Sequence, residues 1–165
     1  MDKDFLKGFI DRADRARLRM RGVGVYCDGE YLAEHNWLFD ERRNIHSISK
    51  SFTSMAVGMA LDEGLFRLDD TVARYFEDKL PEKPSDMLLR ITVEDLLTMR
   101  VGFRDAMNGE FRTCVIEDVE GYYLSRPMKN MPGTVFDYDT GATYMLAALI
   151  QRRTGVSVRD ILQDR

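Results

Sequence analysis

Ser47-Ile-Ser-Lys-Ser-Phe-Thr-Ser54, continued by Met55-Ala-Val-Gly-Met-Ala60, marks the point where the chain changes character. A polar loop, Asp40-Glu-Arg-Arg-Asn44, lies ahead of it. From Ser47 on, Ile48, Phe52, Met55, Ala56, Met59 and Ala60 recur at spacings of three and four, and Gly64 stands where a left-handed C-cap closes a helix. The spacing predicts a helix from about Ser47 to Glu63. Within it Ser47 and Lys50 form an S-x-x-K: three residues are one helical turn, so the Lys50 amine can return to the face that carries Ser47. A serine hydroxyl is a weak nucleophile until a base takes its proton, and a neutral amine one turn away can do so. The helix N-terminus also offers backbone N–H groups to an oxyanion.

The pair alone is weakly specific. With 7 Ser and 6 Lys in 165 residues, an S-x-x-K arises by chance roughly 0.25 times. On the plainer reading Ser47 is an N-cap and Lys50 a solvated helix residue. Position favours chemistry, because the pair falls at the first turn of the most apolar helix, directly after a hairpin and loop.

Toward the N-terminus, Phe5, Leu6, Phe9, Ile10, Ala13, Ala16 and Leu18 repeat at helical spacing with Asp and Arg between them, an amphipathic helix over about 4–20. Gly22-Val-Gly-Val-Tyr-Cys27 and Glu30-Tyr-Leu-Ala-Glu-His-Asn-Trp37 flank Asp28-Gly29, a pair suited to a type I′ turn, and read as a β-hairpin. Toward the C-terminus, Leu68-Asp69-Asp70 reads as the N-cap of a short helix through Phe76, and Pro81 and Pro84 break the chain. Thr92 with Asp95 opens a capped helix through about Met99. Residues 100–114 read as loop, 115–125 as a short helix, Pro132-Gly133 as a turn, and Thr140 to Arg153 as a strongly periodic helix closed by Gly155. Ser157 with Asp160 caps one more helix. The pattern is α+β, mainly helical, with one N-terminal antiparallel hairpin.

Tyr138 stands in the loop just before the helix at Thr140. A phenol placed there against Ser47 and Lys50 would be drawn toward phenolate by positive charge and could shuttle a proton. A core tyrosine stabilising a turn is the equally open alternative.

Length suits one compact domain, and Leu, Ile, Val and Phe make up about a quarter of the chain, enough for a core. The net charge of −4 comes with no basic stripe, which argues against nucleic acid. No apolar stretch approaches the roughly 18 residues of a membrane span. The start, Met1-Asp-Lys-Asp-Phe5, is unlike a secretory signal, so a cytoplasmic location is expected. Cys27 and Cys114 lack C-x-x-C spacing and read as ordinary reduced residues. His35 and His46 make no ligand cluster. No metal or cofactor is expected, and the base for any hydrolysis must be something other than histidine.

Taken together, Ser47-Ile-Ser-Lys-Ser-Phe-Thr-Ser54, Ala60-Leu-Asp-Glu-Gly-Leu65, Leu68-Asp-Asp70, Ile91-Thr-Val-Glu-Asp-Leu-Leu-Thr-Met99 with Gly102, Pro132-Gly-Thr134 and Phe136-Asp-Tyr-Asp-Thr-Gly-Ala-Thr-Tyr144 resemble the serine β-lactamase and penicillin-binding-protein-like family, its class C and esterase-like branch in particular. The blocks come in the family's order and span nearly all of the chain. The resemblance implies a β-lactamase/transpeptidase-like fold, with Ser47 as the acylated nucleophile and Lys50 as its proton-accepting partner. It also implies Tyr138 as the tyrosine of a Y-x-N element. The third position of that element, which contacts substrate, is Thr140 here instead of Asn.

Nothing after Tyr138 matches the family's third motif, Lys- or His-x-Gly on a C-terminal strand. The expectation is therefore a partial domain, residues 1–165 as the N-terminal half of a serine hydrolase, missing the C-terminal sheet strands and with little turnover alone. Its expected partners are a small-molecule β-lactam, peptide or ester substrate, and either a homo-oligomer or a complementary C-terminal segment. The alternative is a catalytically silent, truncated domain serving as a structural or oligomerising module, its open hairpin edge inviting a partner.

Overall fold

The computed structural model describes residues 5–39, 41–110 and 115–163. Backbone contacts divide the chain into two compact units, Met1–Asn44 and Ile45–Arg165.

The first unit holds helix α1 (Lys7–Arg15) and strands β1 (Gly22–Cys27) and β2 (Glu30–Asn36). The helix is shorter than the periodicity suggested. Arg17 takes the left-handed conformation (φ 53°), its N–H donates to the Asp14 carbonyl, and the Leu18 N–H donates to that of Ala13. This is a Schellman stop made without glycine, so no glycine signalled it. Ala13 is buried, the Trp37 indole N–H donates to Asp14 Oδ1 at 2.8 Å, and the Phe9 ring stands edge-on to Trp37. Asp28 (φ 51°) and Gly29 (φ 83°) are both left-handed, as a type I′ turn requires. The antiparallel register runs from Gly22 opposite Asn36 to Cys27 opposite Glu30, with a bulge between Val25 and Tyr26. Cys27 is a free thiol at the surface; Cys114 lies outside the described residues.

The second unit is helical. A 3₁₀ turn (His46–Ile48) leads into α2 (Ser49–Asp62); 3₁₀ turns follow at Val72–Tyr75 and Glu77–Lys79, then α3 (Asp86–Leu89), α4 (Val93–Leu97), α5 (Val119–Leu124), α6 (Thr140–Thr154) and α7 (Val158–Gln163). α2 and α4 both pack on α6, and Val57, Phe76, Leu96, Tyr123, Met145 and Leu149 lie at the centre of the core. The capping box is present: Thr92 Oγ1 accepts from the Asp95 N–H and the Asp95 carboxylate accepts from that of Thr92. Gly155 is left-handed (φ 75°) and ends α6 as expected.

One local expectation is corrected, and two features lay outside the sequence reading. Asp70 does not cap a helix; its carboxylate accepts from the Arg67 N–H and the Tyr75 hydroxyl, and the segment after Thr71 is a 3₁₀ turn. Ser85 accepts from the Leu88 N–H and starts α3, a single turn too short to show a period. α2 buries Thr53, Ala56, Val57 and Ala60, whereas its Met55 (60%) and Phe52 (48%), and Ile48 (64%) just before it, stay exposed. The helix is apolar on two sides, as helices covered on both sides are, and the second unit covers one.

Candidate active site

Ser47 sits in the 3₁₀ turn and not on α2 itself. The Ile48 N–H donates to the Ile45 carbonyl at 3.1 Å, and the Ser49 hydroxyl donates to that of His46 at 2.7 Å. His46 takes φ 47°, a left-handed position for a residue with a side chain. Such positions cost of order 1–3 kcal/mol, which the surrounding structure must supply. Ser47 precedes α2 while Lys50 stands in its first turn, three residues on, so the two side chains meet across the junction. Lys50 Nζ donates to Ser47 Oγ at 3.3 Å.

Tyr138 reaches the same oxygen from the other end of the unit. Its hydroxyl donates to Ser47 Oγ at 2.7 Å, and Lys50 Nζ lies 5.0 Å from its ring centroid. The hydrogen bond with Ser47 first, and Lys50 second, hold the Tyr138 phenol below its ordinary range of ionisation. Both hydroxyls can donate or accept. Once the phenol ionises, the bond therefore reverses and Ser47 donates, as proton abstraction requires.

The backbone beneath Tyr138 is held firmly, and sequence reasoning assigned no role to the residue that does most of it. Asp139 is buried, with Oδ1 accepting from the N–H groups of Met107 (3.1 Å) and Gly141 (2.8 Å) and Oδ2 from the Tyr123 hydroxyl (3.0 Å). It thus caps α6 and ties that helix to the loop containing Met107. Arg126 Nη1 lies 3.7 Å from Oδ2, beyond hydrogen-bond range. Burial raises the Asp139 carboxyl above its usual range, opposed by Tyr123, then Arg126 and the two backbone donors. An Asp just before a periodic helix is a recognisable N-cap signal; its reach to Tyr123 and Met107 is not. The Asp137 N–H donates to the carbonyl of Met99, itself left-handed at φ 52°.

Thr140 directs both its N–H (3.0 Å) and its hydroxyl (2.9 Å) to Asn108 Oδ1, while Asn108 Nδ2 donates to the Tyr138 carbonyl at 2.6 Å. Asn108 lies in a stretch that reads only as loop. Ser47, Lys50 and Tyr138 therefore converge on one oxygen, whereas Thr140 is engaged with Asn108. Among the described residues no group of three or more His, Cys, Asp or Glu is placed to hold a metal ion.

The family model described as Beta-lactamase matches residues 11–165. The chain belongs to the β-lactamase family. It is similar to a D-aminopeptidase of Brucella anthropi, 30% identical over 162 residues, which cover 87% of this chain and 30% of that protein. A D-aminopeptidase of Brucella canis is 28% identical over the same shares. The fold of this chain is similar to that of a class C β-lactamase (TM-score 0.76, 18% identity, 99% of this chain and 49% of that one). The octameric penicillin-binding protein homologue of Pyrococcus abyssi superimposes with a TM-score of 0.73 at 22% identity, over 99% of this chain and 42% of that one. This β-lactamase-family chain thus spans under a third of the D-aminopeptidases and under half of those solved structures. It is a member of the serine β-lactamase and penicillin-binding-protein-like group with the β-lactamase/transpeptidase-like fold, helical with a two-stranded antiparallel sheet among the described residues. No helix among them is long and apolar enough to cross a membrane.

Proposed function

We propose that residues 1–165 are the N-terminal half of a serine hydrolase catalytic domain that works through an acyl-enzyme on Ser47. The observation that carries this reading is the convergence of Tyr138 Oη and Lys50 Nζ on Ser47 Oγ. Ser47 Oγ attacks the carbonyl carbon of a β-lactam, peptide or ester, and its proton passes to Tyr138 or Lys50. The C–N or C–O bond then breaks as the same pair returns a proton to the leaving group, and water releases the acyl group. Thr140, two residues after Tyr138, is the position of the Y-x-N element that would contact substrate. Of the three substrate classes, the likeness to D-aminopeptidases favours a peptide amide.

Labelling with a fluorophosphonate or a fluorescent penicillin, compared with Ser47→Ala, tests the reading. Wild type should be labelled and the variant not; equal labelling removes Ser47 as nucleophile. Turnover should be low unless a C-terminal segment supplying an oxyanion N–H donor is added, since one such donor is worth about 10²–10³ in rate.

The exposed apolar side of α2 favours a second reading, a silent module whose partner is another copy of the chain. Absence of label on wild type together with self-association on size-exclusion chromatography would select it. Label with restored hydrolysis on adding a C-terminal segment would select the first.

A further inference from the structure

Tyr138 and Thr140 are 30 and 32 residues from Asn108 in sequence, yet one side chain holds both. Its orientation follows from chemistry. The Tyr138 carbonyl can only accept and the Thr140 N–H can only donate, so Nδ2 must face the first and Oδ1 the second. The neighbouring Met107 joins the same strip by its backbone: its N–H donates to Asp139 Oδ1 and its carbonyl accepts from the Gly141 N–H at 3.2 Å. Met107-Asn108 thus engages each residue from Tyr138 to Gly141. Met107 and Asp139 are buried, so their bonds satisfy groups cut off from water. Asn108 is exposed, and water could serve its amide and the groups it holds. What its three bonds add is placement.

We propose that Asn108 is a positioning residue for Tyr138, its carboxamide spanning Asp139 to fix the backbone that aims the phenol at Ser47 Oγ. This rests on the serine-hydrolase reading above and deepens it. It also changes what Thr140 offers: the hydroxyl proton is directed to Asn108 Oδ1, so toward a substrate Thr140 presents lone pairs and acts as an acceptor.

The test follows the rate of fluorophosphonate labelling at Ser47 against pH in wild type, Asn108→Ala and Asn108→Asp. A loss of alignment of this kind should slow labelling about 10- to 100-fold in Asn108→Ala and move the pH midpoint of labelling upward. The thermal midpoint should change little for an exposed side chain. Asn108→Asp keeps the acceptor for Thr140 but not the donor for Tyr138, and should fall between. Wild-type rate and midpoint in Asn108→Ala overturn the proposal; if that variant does not fold, the same result in Asn108→Asp overturns it. If wild type itself takes no label, the hydrolase reading fails, and the Tyr138 ¹³Cζ resonance is then titrated by NMR. A midpoint that moves in the Asn108 variants upholds the positioning role, and one that stays put overturns it.

Discussion

The Tyr138 hydroxyl meets the Ser47 hydroxyl at 2.7 Å although 91 residues separate them. Lys50 reaches the same oxygen from three residues away. One contact is local and the other depends on the whole second unit, so they should respond differently to perturbation.

Tyr138→Phe and Lys50→Met should each lower the labelling rate at Ser47 by about 10²-fold or more, the usual worth of a positioned proton acceptor. Tyr138 is 42% exposed, so the unfolding free energy of Tyr138→Phe from urea melts should change by no more than about 0.5 kcal/mol. Labelling kinetics beside a denaturation curve separate the two effects.

Labelling should rise with pH. Below its midpoint the Tyr138 phenol keeps its proton and donates to Ser47; above it the phenolate accepts the seryl proton. The hydrogen bonds with Ser47 and then Lys50 favour ionisation of Tyr138, so the midpoint should fall below the tyrosine value near 10. Lys50→Met should move it upward. A rate profile unchanged by that substitution would count against Tyr138 as the titrating group.

Asp139→Ala should cost at least about 2 kcal/mol, because it removes an N-cap and leaves Met107 N–H and the Tyr123 hydroxyl without their acceptor. The carboxyl is raised in the folded state, so the native protein holds its proton more tightly than the unfolded chain does. Its contribution to stability is then fullest below the unfolded value of 3.8 and is lost as pH rises through the folded one. Asp139→Asn lacks this dependence. Urea melts at pH 3.5 and pH 6 should show the difference between variant and wild type moving in the variant's favour at the higher pH.

Two glycines should respond with opposite sign. A methyl at Gly141 would lie 2.6 Å from Tyr123 Cδ2 and 3.0 Å from Asp139 Oδ1, so Gly141→Ala should destabilise by about 1–3 kcal/mol through overpacking. Gly58, in the interior of α2, has nothing within 4 Å of such a methyl, and Gly58→Ala should stabilise by about 0.5–1 kcal/mol. Thermal melts of the pair check both.

Phe52→Lys and Met55→Lys alter side chains that stand largely in solvent. Each should leave stability within about 0.5 kcal/mol of wild type while lowering self-association measured by light scattering. An unchanged association state would mean that this side of α2 is not where copies meet.

Local rules were sufficient wherever sequence neighbours alone complete a motif. Asp28-Gly29 set the hairpin, Thr92 with Asp95 closed a capping box across three residues, and Gly155 ended α6. They were insufficient at the α1 stop, where Arg17 adopts the conformation that glycine usually signals, and at α3, whose single turn has no period to detect. In α2 the apolar repeat was correctly helical but did not say which side is covered, because Ile48, Phe52 and Met55 are as apolar as the residues that are buried.

The sequence by itself determined that Ser47 and Lys50 share one turn, since a spacing of three is geometry of the backbone alone, and that Tyr138 precedes a helix. Only the tertiary structure decided that Tyr138 faces Ser47 and that Asp139 and Asn108 hold it there. Those contacts span 16 to 91 residues. They exist because packing of α2 and α4 on α6 brings together loops that no local periodicity relates.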